Sequence, residues 1–410
     1  MRRGPHVSTP PAFAFPIPRT CPFAVPDEYA GLREEQPAAR VVLPTGKTAW
    51  ILTRYADVRA VLASPNISAD IRHPNFPAMG AGEQEAGAKS RPFIRTDPPE
   101  HTRYRRMLLP ELTVKRVRAM RPAVQEITDG VLDRMLDAGP GVGSGVDLVP
   151  AYANAVSTST ICELIGLPKD DLEFFHDITR ISGGRASTAA EVSAALGALF
   201  QLLGELIALR EREPGDDLLS KLVVDHLRTG NVTHRELLST IGITVIAGRE
   251  TTTNMISLST LLLLLREPDR MAELRTQPEL IPAAVDELLR VLSIADSIPL
   301  RVAGEDIDIA GTVIPAGDGV IALLGAADHD PDVFPDPATV DFHRGNRHHV
   351  AFGYGIHQCV GQHLARLELE IALETLIRRV PTLRLAVPFE DLTFKQESAT
   401  FGVTSLPVSW

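Results

Sequence analysis

From Pro99 onward the chain's apolar residues recur mostly at helical spacing, which predicts a mainly α protein. The longest such stretch, Leu237 to Leu265, is two apolar or small-polar runs around one charged pair, Arg249-Glu250. At about 20 residues or more it is long enough to cross a bilayer. A charge pair at its middle is costly in lipid, and the Thr-rich centre suits a helix enclosed by protein. The expectation is therefore a long core helix. Further helices are predicted over Pro278 to Leu292 and Gln362 to Arg379, and Tyr55 to Leu62 also has helical spacing. Two β-rich runs around Pro44-Thr45-Gly46 predict a hairpin within residues 40–53. Ile298 to Leu324 alternates short β-type runs with turns and predicts a small sheet, and Leu392 to Trp410 reads as further β structure.

The rest is punctuation. Residues 1–40 are proline-rich and are expected to wrap the surface. Residues 66–95, rich in Pro, Gly and Ala, predict a long loop that could act as a lid. Glycine-rich 139–145 and the segment 212–217 are breaks, and 328–347 is an irregular stretch rich in Asp and Pro. No repeat or linker divides the chain, so the expected architecture is one domain over 1–410, mainly α with a minor β region.

Charge narrows the class. A formal net charge of −11 argues against general affinity for nucleic acid or anionic membrane. Cys21, Cys162 and Cys359 are odd in number and far apart, with no disulfide framework or zinc spacing, which fits a reducing cytosol. The N-terminus has no continuous apolar run and does not read as a signal peptide.

Four stretches can carry chemistry. Phe352-Gly-Tyr-Gly-Ile-His-Gln-Cys-Val-Gly361 sets a cysteine in a glycine-framed loop directly ahead of a helix, where positive φ and the helix dipole favour an accessible thiolate. Ala247-Gly-Arg-Glu-Thr-Thr252 puts a glycine inside the long helix at a cost of about 1 kcal/mol relative to alanine, which would let a ligand approach the backbone. Thr251 is placed there to bond the Ala247 carbonyl and loosen the helical ladder. Glu287 and Arg290 share a helical face, as do His101 and Arg105 behind Pro98-Pro99. Alone, each has a plainer reading: a buried structural cysteine, a core helix whose Glu250 pairs with a cation, a solvent-exposed Glu287–Arg290 pair, and a surface helix with a basic stripe.

Together they resemble the motifs of the cytochrome P-450 monooxygenases. Every specified position of Phe-Gly-x-Gly-x-His-x-Cys-x-Gly is filled, and the long-helix segment resembles the family's oxygen-activating helix. The resemblance is to soluble bacterial members, most like those of actinobacteria. It implies a P-450 fold and haem b with Cys359 as the thiolate ligand of the iron. Phe352, Gly353, Gly361, Ala247 and Gly248 would border the haem, and His101, Arg105, Arg301 and His357 would hold its propionates. Glu250 and Thr251 become the acid–alcohol pair that supplies protons for dioxygen activation, with Arg249 at the position the family pattern leaves open. Glu287, Arg290 and Arg344 become a buried brace for the cysteine loop.

The implied reaction inserts one oxygen atom from O2 into a hydrophobic small molecule. Two electrons would come from NAD(P)H through a ferredoxin reductase and an iron–sulfur ferredoxin. The expected substrate is a polyketide, terpenoid, steroid-like compound or xenobiotic, and the expected protein a cytoplasmic monomer away from membranes. Candidate substrate contacts are Phe93, Ile94, Ile243, Ile246, Ala247, Ser297, Ile298 and Phe401. Basic islands at Arg103, Arg106, Lys115, Arg116, Arg118, Arg347 and Arg366 suggest docking for an acidic ferredoxin, with Arg366 favoured. The alternatives are a peroxide-driven haem enzyme and a non-catalytic haem sensor or carrier.

Overall fold

A computed structural model describes residues 12–80, 82–139, 145–167, 178, 181, 187–345 and 347–410. The expectations for residues 1–11 and for the centre of the 139–145 break lie outside them. Six helices position the site: α1 Tyr55–Ala63, α2 Glu100–Leu108, α3 Ala155–Ile165, α4 His234–Leu265, α5 Ile281–Leu292 and α6 Gln362–Arg379.

The predicted core helix is α4, 32 residues long. Its start is fixed by a reciprocal cap between Thr233 and Glu236, which satisfies donors that a helix N-terminus leaves open. Every residue from Thr252 to Leu263 is buried, as expected of a helix enclosed on all sides. α3 and α6 pack against α4, while α5 packs against both α4 and α6. α3 is entered through a π-helical stretch, Val149–Asn154, that periodicity did not indicate.

The predicted hairpin and sheet join in one six-stranded sheet: β1 Phe13–Ala14, β2 Ala38–Val42, β3 Thr48–Leu52, β4 Ile67–Ser68, β5 Leu300–Ala303 and β6 Gly319–Ala322, in the order β1-β2-β3-β6-β5-β4. β5 runs antiparallel to β6 with Arg301 opposite Val320. Strands Ile307–Ile309 and Thr312–Ile314 form a separate hairpin, and Pro407–Ser409 supplies the predicted C-terminal β structure. The expected 66–95 loop is corrected. It holds β4, a helix at Glu83–Ser90 and a 3-10 turn at Phe93–Arg95. The helix was hidden because Glu83–Ser90 has no buried apolar stripe to reveal its period. Ala190–Arg212 is long and apolar enough to cross a membrane by length and composition, a test that core helices also pass.

One core residue makes folding pH-dependent. Glu368, on α6, is 3 % exposed; its Oε1 has no hydrogen-bond partner among the described residues, and burial lifts its pKa to about 8. The raised folded-state pKa means this contribution to stability is fully present below the ordinary carboxyl range and is lost as pH rises toward 8. At about 1.4 kcal/mol per pK unit, Glu368→Gln should out-stabilise the wild type by at most about 5 kcal/mol at pH 8 and hardly at all at pH 4.5. Urea midpoints across that range check this; a gap that does not grow with pH would refute it.

Candidate active site

The cysteine loop is built on two left-handed glycines, Gly353 (φ 70°) and Gly355 (φ 73°). A β-carbon on Gly355 would lie 2.1 Å from the Leu62 carbonyl oxygen, so the loop's seat on the end of α1 requires glycine there. The Gly353 N–H donates to the Val350 carbonyl (2.7 Å) and the Cys359 N–H to the Phe352 carbonyl (2.8 Å). Gly361 caps α6. The loop leaves Cys359 exposed. Desolvation nevertheless pushes the thiol pKa up, although the Gly361 N–H and the charges of Arg105 and Arg366 pull it down.

Beside the loop, positive groups converge with little to neutralise them. His101 is 1 % exposed, and neither ring nitrogen has a hydrogen-bond partner among the described residues; the same holds for Nδ1 of His357. The two rings lie 4.0 Å apart. Burial, reinforced by Arg105 and Arg301, lowers the pKa of His101 to about 4. Burial and the cations Arg301, His101, Arg105 and Arg95 lower that of His357 to about 2. Arg301 itself is pulled down to about 9, first by burial and then by Arg95. Its countercharge, Asp97, is occupied, accepting hydrogen bonds from Ser68 and the Ala69 N–H. Arg95 is paired with Glu83 at 3.2 Å, which leaves Arg105 and Arg301 with the orphaned nitrogens of two neutral histidines; that set fits a dianionic ligand, as two carboxylates of haem would be.

α2 carries His101 and Arg105 and is tied to the start of α4. The Tyr104 hydroxyl donates to Glu236 at 2.7 Å and Arg103 donates to the same carboxylate. Burial alone would raise Glu236, but these bonds and the Thr233 cap hold its pKa near 2.

On α4, Ala247 is exposed and Thr251 half-buried within an otherwise enclosed helix, so a strip of it faces open space. The Thr251 hydroxyl donates to the Ala247 carbonyl at 2.8 Å, although the helix continues without a break. A β-carbon on Gly248 would lie 2.6 Å from Cδ1 of Ile161, so the glycine also allows α3 and α4 to pack closely. Arg249 turns inward, 3 % exposed, and donates to the Asn154 side chain. Glu250 is paired instead with Lys395, at 3.6 Å.

The brace is complete. Arg290, 1 % exposed, forms two bonds to Glu287 (2.8 and 2.7 Å) and three to the carbonyls of Asp328, Pro337 and Thr339. Arg344 joins at 3.1 Å from Glu287. Asp328 extends the network by accepting the Val350 N–H at 2.7 Å, at the entry to the cysteine loop. Arg366, favoured for docking, is turned inward: it bonds Asp286 at 2.7 Å and lies over the Phe352 ring.

The substrate candidates separate. Ile94, Ile243 and Ile246 pack on one apolar cluster with Ile161 and Val245. Phe93, 4 % exposed and stacked on His101, backs the cationic rim instead. Ser297 and Phe401 line a cavity beside residues 15–19, and the Ile298 carbonyl accepts from Arg95. Arg95 was missed; its one signal is a lone arginine immediately before Thr96-Asp-Pro-Pro99. Lys395 was missed as well.

A family model described as Cytochrome P450 matches residues 186–407. The structure is similar to that of CYP105N1 from Streptomyces coelicolor A3(2), with a TM-score of 0.90 and 68% identity over 98% of this chain and 99% of that one. A second crystal structure of CYP105N1 is described as a cytochrome P450 oxidase in the coelibactin siderophore biosynthetic pathway. The mycinamicin VIII C21 methyl hydroxylase MycCI from Micromonospora griseorubida gives a TM-score of 0.91 at 42% identity, over 97% and 100% of the two chains. Pentalenic acid synthase of Streptomyces avermitilis is 46% identical over 99% of each chain.

Proposed function

The chain belongs to the cytochrome P450 family and is a monooxygenase of the kind that acts on secondary metabolites; we propose that it oxidises an intermediate of siderophore assembly with electrons supplied by a ferredoxin. The observation that carries the haem-site assignment is the cluster of orphaned histidine nitrogens with Arg105 and Arg301 beside the exposed Cys359. In this reading Cys359 would bind the haem iron through its thiolate, and His101, Arg105, Arg301 and His357, joined by Arg95, would hold the propionates. Bound haem supplies the redox chemistry of dioxygen. Ala247 and Thr251 stand on the opposite wall. The Thr251 hydroxyl holds a proton at the cleft, Glu250 replaces it, and Ile94, Ile243 and Ile246 orient an apolar substrate while excluding water.

Support for the substrate class is the 68% identity to CYP105N1, against 46% for the terpenoid-type second reading that pentalenic acid synthase suggests. Support for a ferredoxin comes from the helix Val114–Ala119, which packs against α6 and shows Lys115, Arg118 and the apolar Val114 on its exposed side. These replace Arg366 as the docking candidates.

The test is turnover of a siderophore-pathway intermediate under isotopically heavy dioxygen with NAD(P)H, ferredoxin and reductase. Product should carry one heavy oxygen atom, and Lys115→Glu with Arg118→Glu should raise the ferredoxin KM several-fold and flatten its salt dependence. Equal turnover with hydrogen peroxide alone would favour the peroxide-driven alternative, and preferential turnover of a terpene would overturn the substrate class.

A further inference from the structure

Glu250 has one ion-pair partner among the described residues, Lys395, which lies on the C-terminal turn over 395–401. The turn is pressed against α4. A β-carbon on Gly402 would lie 2.3 Å from Oδ1 of Asn254, while Asn254 donates to Thr400 at 3.0 Å and accepts from Lys395 Nζ at 2.9 Å. Lys395 is thus held in place from both sides. Its other end lines a cavity of about 210 Å³ between the turn and residues 15–19, with Arg19, Tyr29, Asp296 and Glu397 on the walls. Lys395 is therefore the residue shared by the cavity wall and the ion pair with Glu250, the neighbour of Thr251 in the chain.

We propose that Lys395 is a positioning residue that holds the Glu250 carboxylate at the inner end of this cavity, and that the protons consumed in each turnover enter by this route. The inference rests on the reading of Glu250 and Thr251 as the proton relay. The step balances as proton exchange. The Glu250 carboxylate takes a proton from cavity water, which bulk solvent restores, and the neutral acid gives it up toward Thr251. Lys395 remains an ammonium throughout and makes or breaks no bond. Burial lowers the lysine's pKa, Glu250 raises it and Arg249 lowers it again, so its charge depends on the carboxylate it holds.

The test uses holoenzyme with Lys395→Met and Lys395→Arg. Lys395→Met should lower product formed per NAD(P)H several-fold and raise the solvent isotope effect, because the carboxylate is no longer held in place. Lys395→Arg should restore both, with the carbon-monoxide spectrum and substrate Kd unchanged in both variants. Ala399→Trp, which fills the cavity away from Glu250, should reproduce the isotope effect. A readout independent of activity is nuclear magnetic resonance of isotope-methylated lysines in the reduced carbon-monoxide complex, where Glu250→Gln should lower the pKa of Lys395. A lysine titration unmoved by Glu250→Gln overturns the pairing. Wild-type coupling and isotope effect in Lys395→Met overturn the route if Glu250→Gln still uncouples. If Glu250→Gln also leaves coupling intact, it is the relay itself that fails. A normal isotope effect in Ala399→Trp removes the cavity as the entry.

Discussion

Arg290→Leu is expected to abolish recovery of folded, haem-loaded protein. The guanidinium is 1 % exposed, and each of its five N–H groups donates to Glu287 or a backbone carbonyl. Removing it leaves a carboxylate that is itself 5 % exposed with only Arg344 and the Asp341 N–H, both at 3.1 Å. Glu287 is held below the usual carboxylate range because the bonds from Arg290 outweigh the opposing effect of burial. Breaking one side of such a buried pair costs about 3–5 kcal/mol, a large part of the roughly 5–15 kcal/mol that keeps a typical protein folded. Three freed carbonyls belong to the stretch that leads into the cysteine loop, so the loss falls on the geometry around Cys359. Soluble yield and haem content check this. Wild-type yield and an unchanged urea midpoint would show that the network braces nothing.

Glu250→Gln and Thr251→Ala should each cut product formation by about 10²-fold or more, the usual scale for losing a general acid. Oxygen uptake should persist, with reducing equivalents appearing as peroxide, and substrate Kd and the carbon-monoxide spectrum should stay as in wild type. Thr251→Ser, which keeps a hydroxyl bonded to the Ala247 carbonyl, should recover most of the coupling. Stopped-flow turnover with peroxide quantified alongside product separates the outcomes. Full coupling in Glu250→Gln would remove the relay and favour the peroxide-driven alternative.

Much of the site was legible because its residue types answer to backbone geometry. Gly353 and Gly355 occupy φ values that other residues rarely take, and the i, i+3 spacing of Glu287 and Arg290 sets them on one face of α5. Arg344 could be placed only because the irregular stretch is short and holds few cations. What stayed hidden depends on tertiary approach. Ile161 reaches Gly248 from another helix, Arg249 finds Asn154 in a π-helical stretch, and Lys395 meets Glu250 from the C-terminal turn. Spacing along the chain cannot encode those meetings. Arg95 was lost for a different reason: residues 66–95 lack the buried stripe that would mark their elements, so no frame existed in which to place its charge.

The central claim is that Cys359 presents a thiolate to haem iron within the cationic rim of His101, Arg105, Arg301 and His357. Its most direct test is the absorption spectrum of the reduced, carbon-monoxide-bound protein, wild type against Cys359→Ser. The wild type should show a Soret band shifted far to the red, as thiolate ligation demands, and Cys359→Ser should lose that shift even where haem is retained. A wild type without the red-shifted band, or a serine variant that keeps it, would contradict the account.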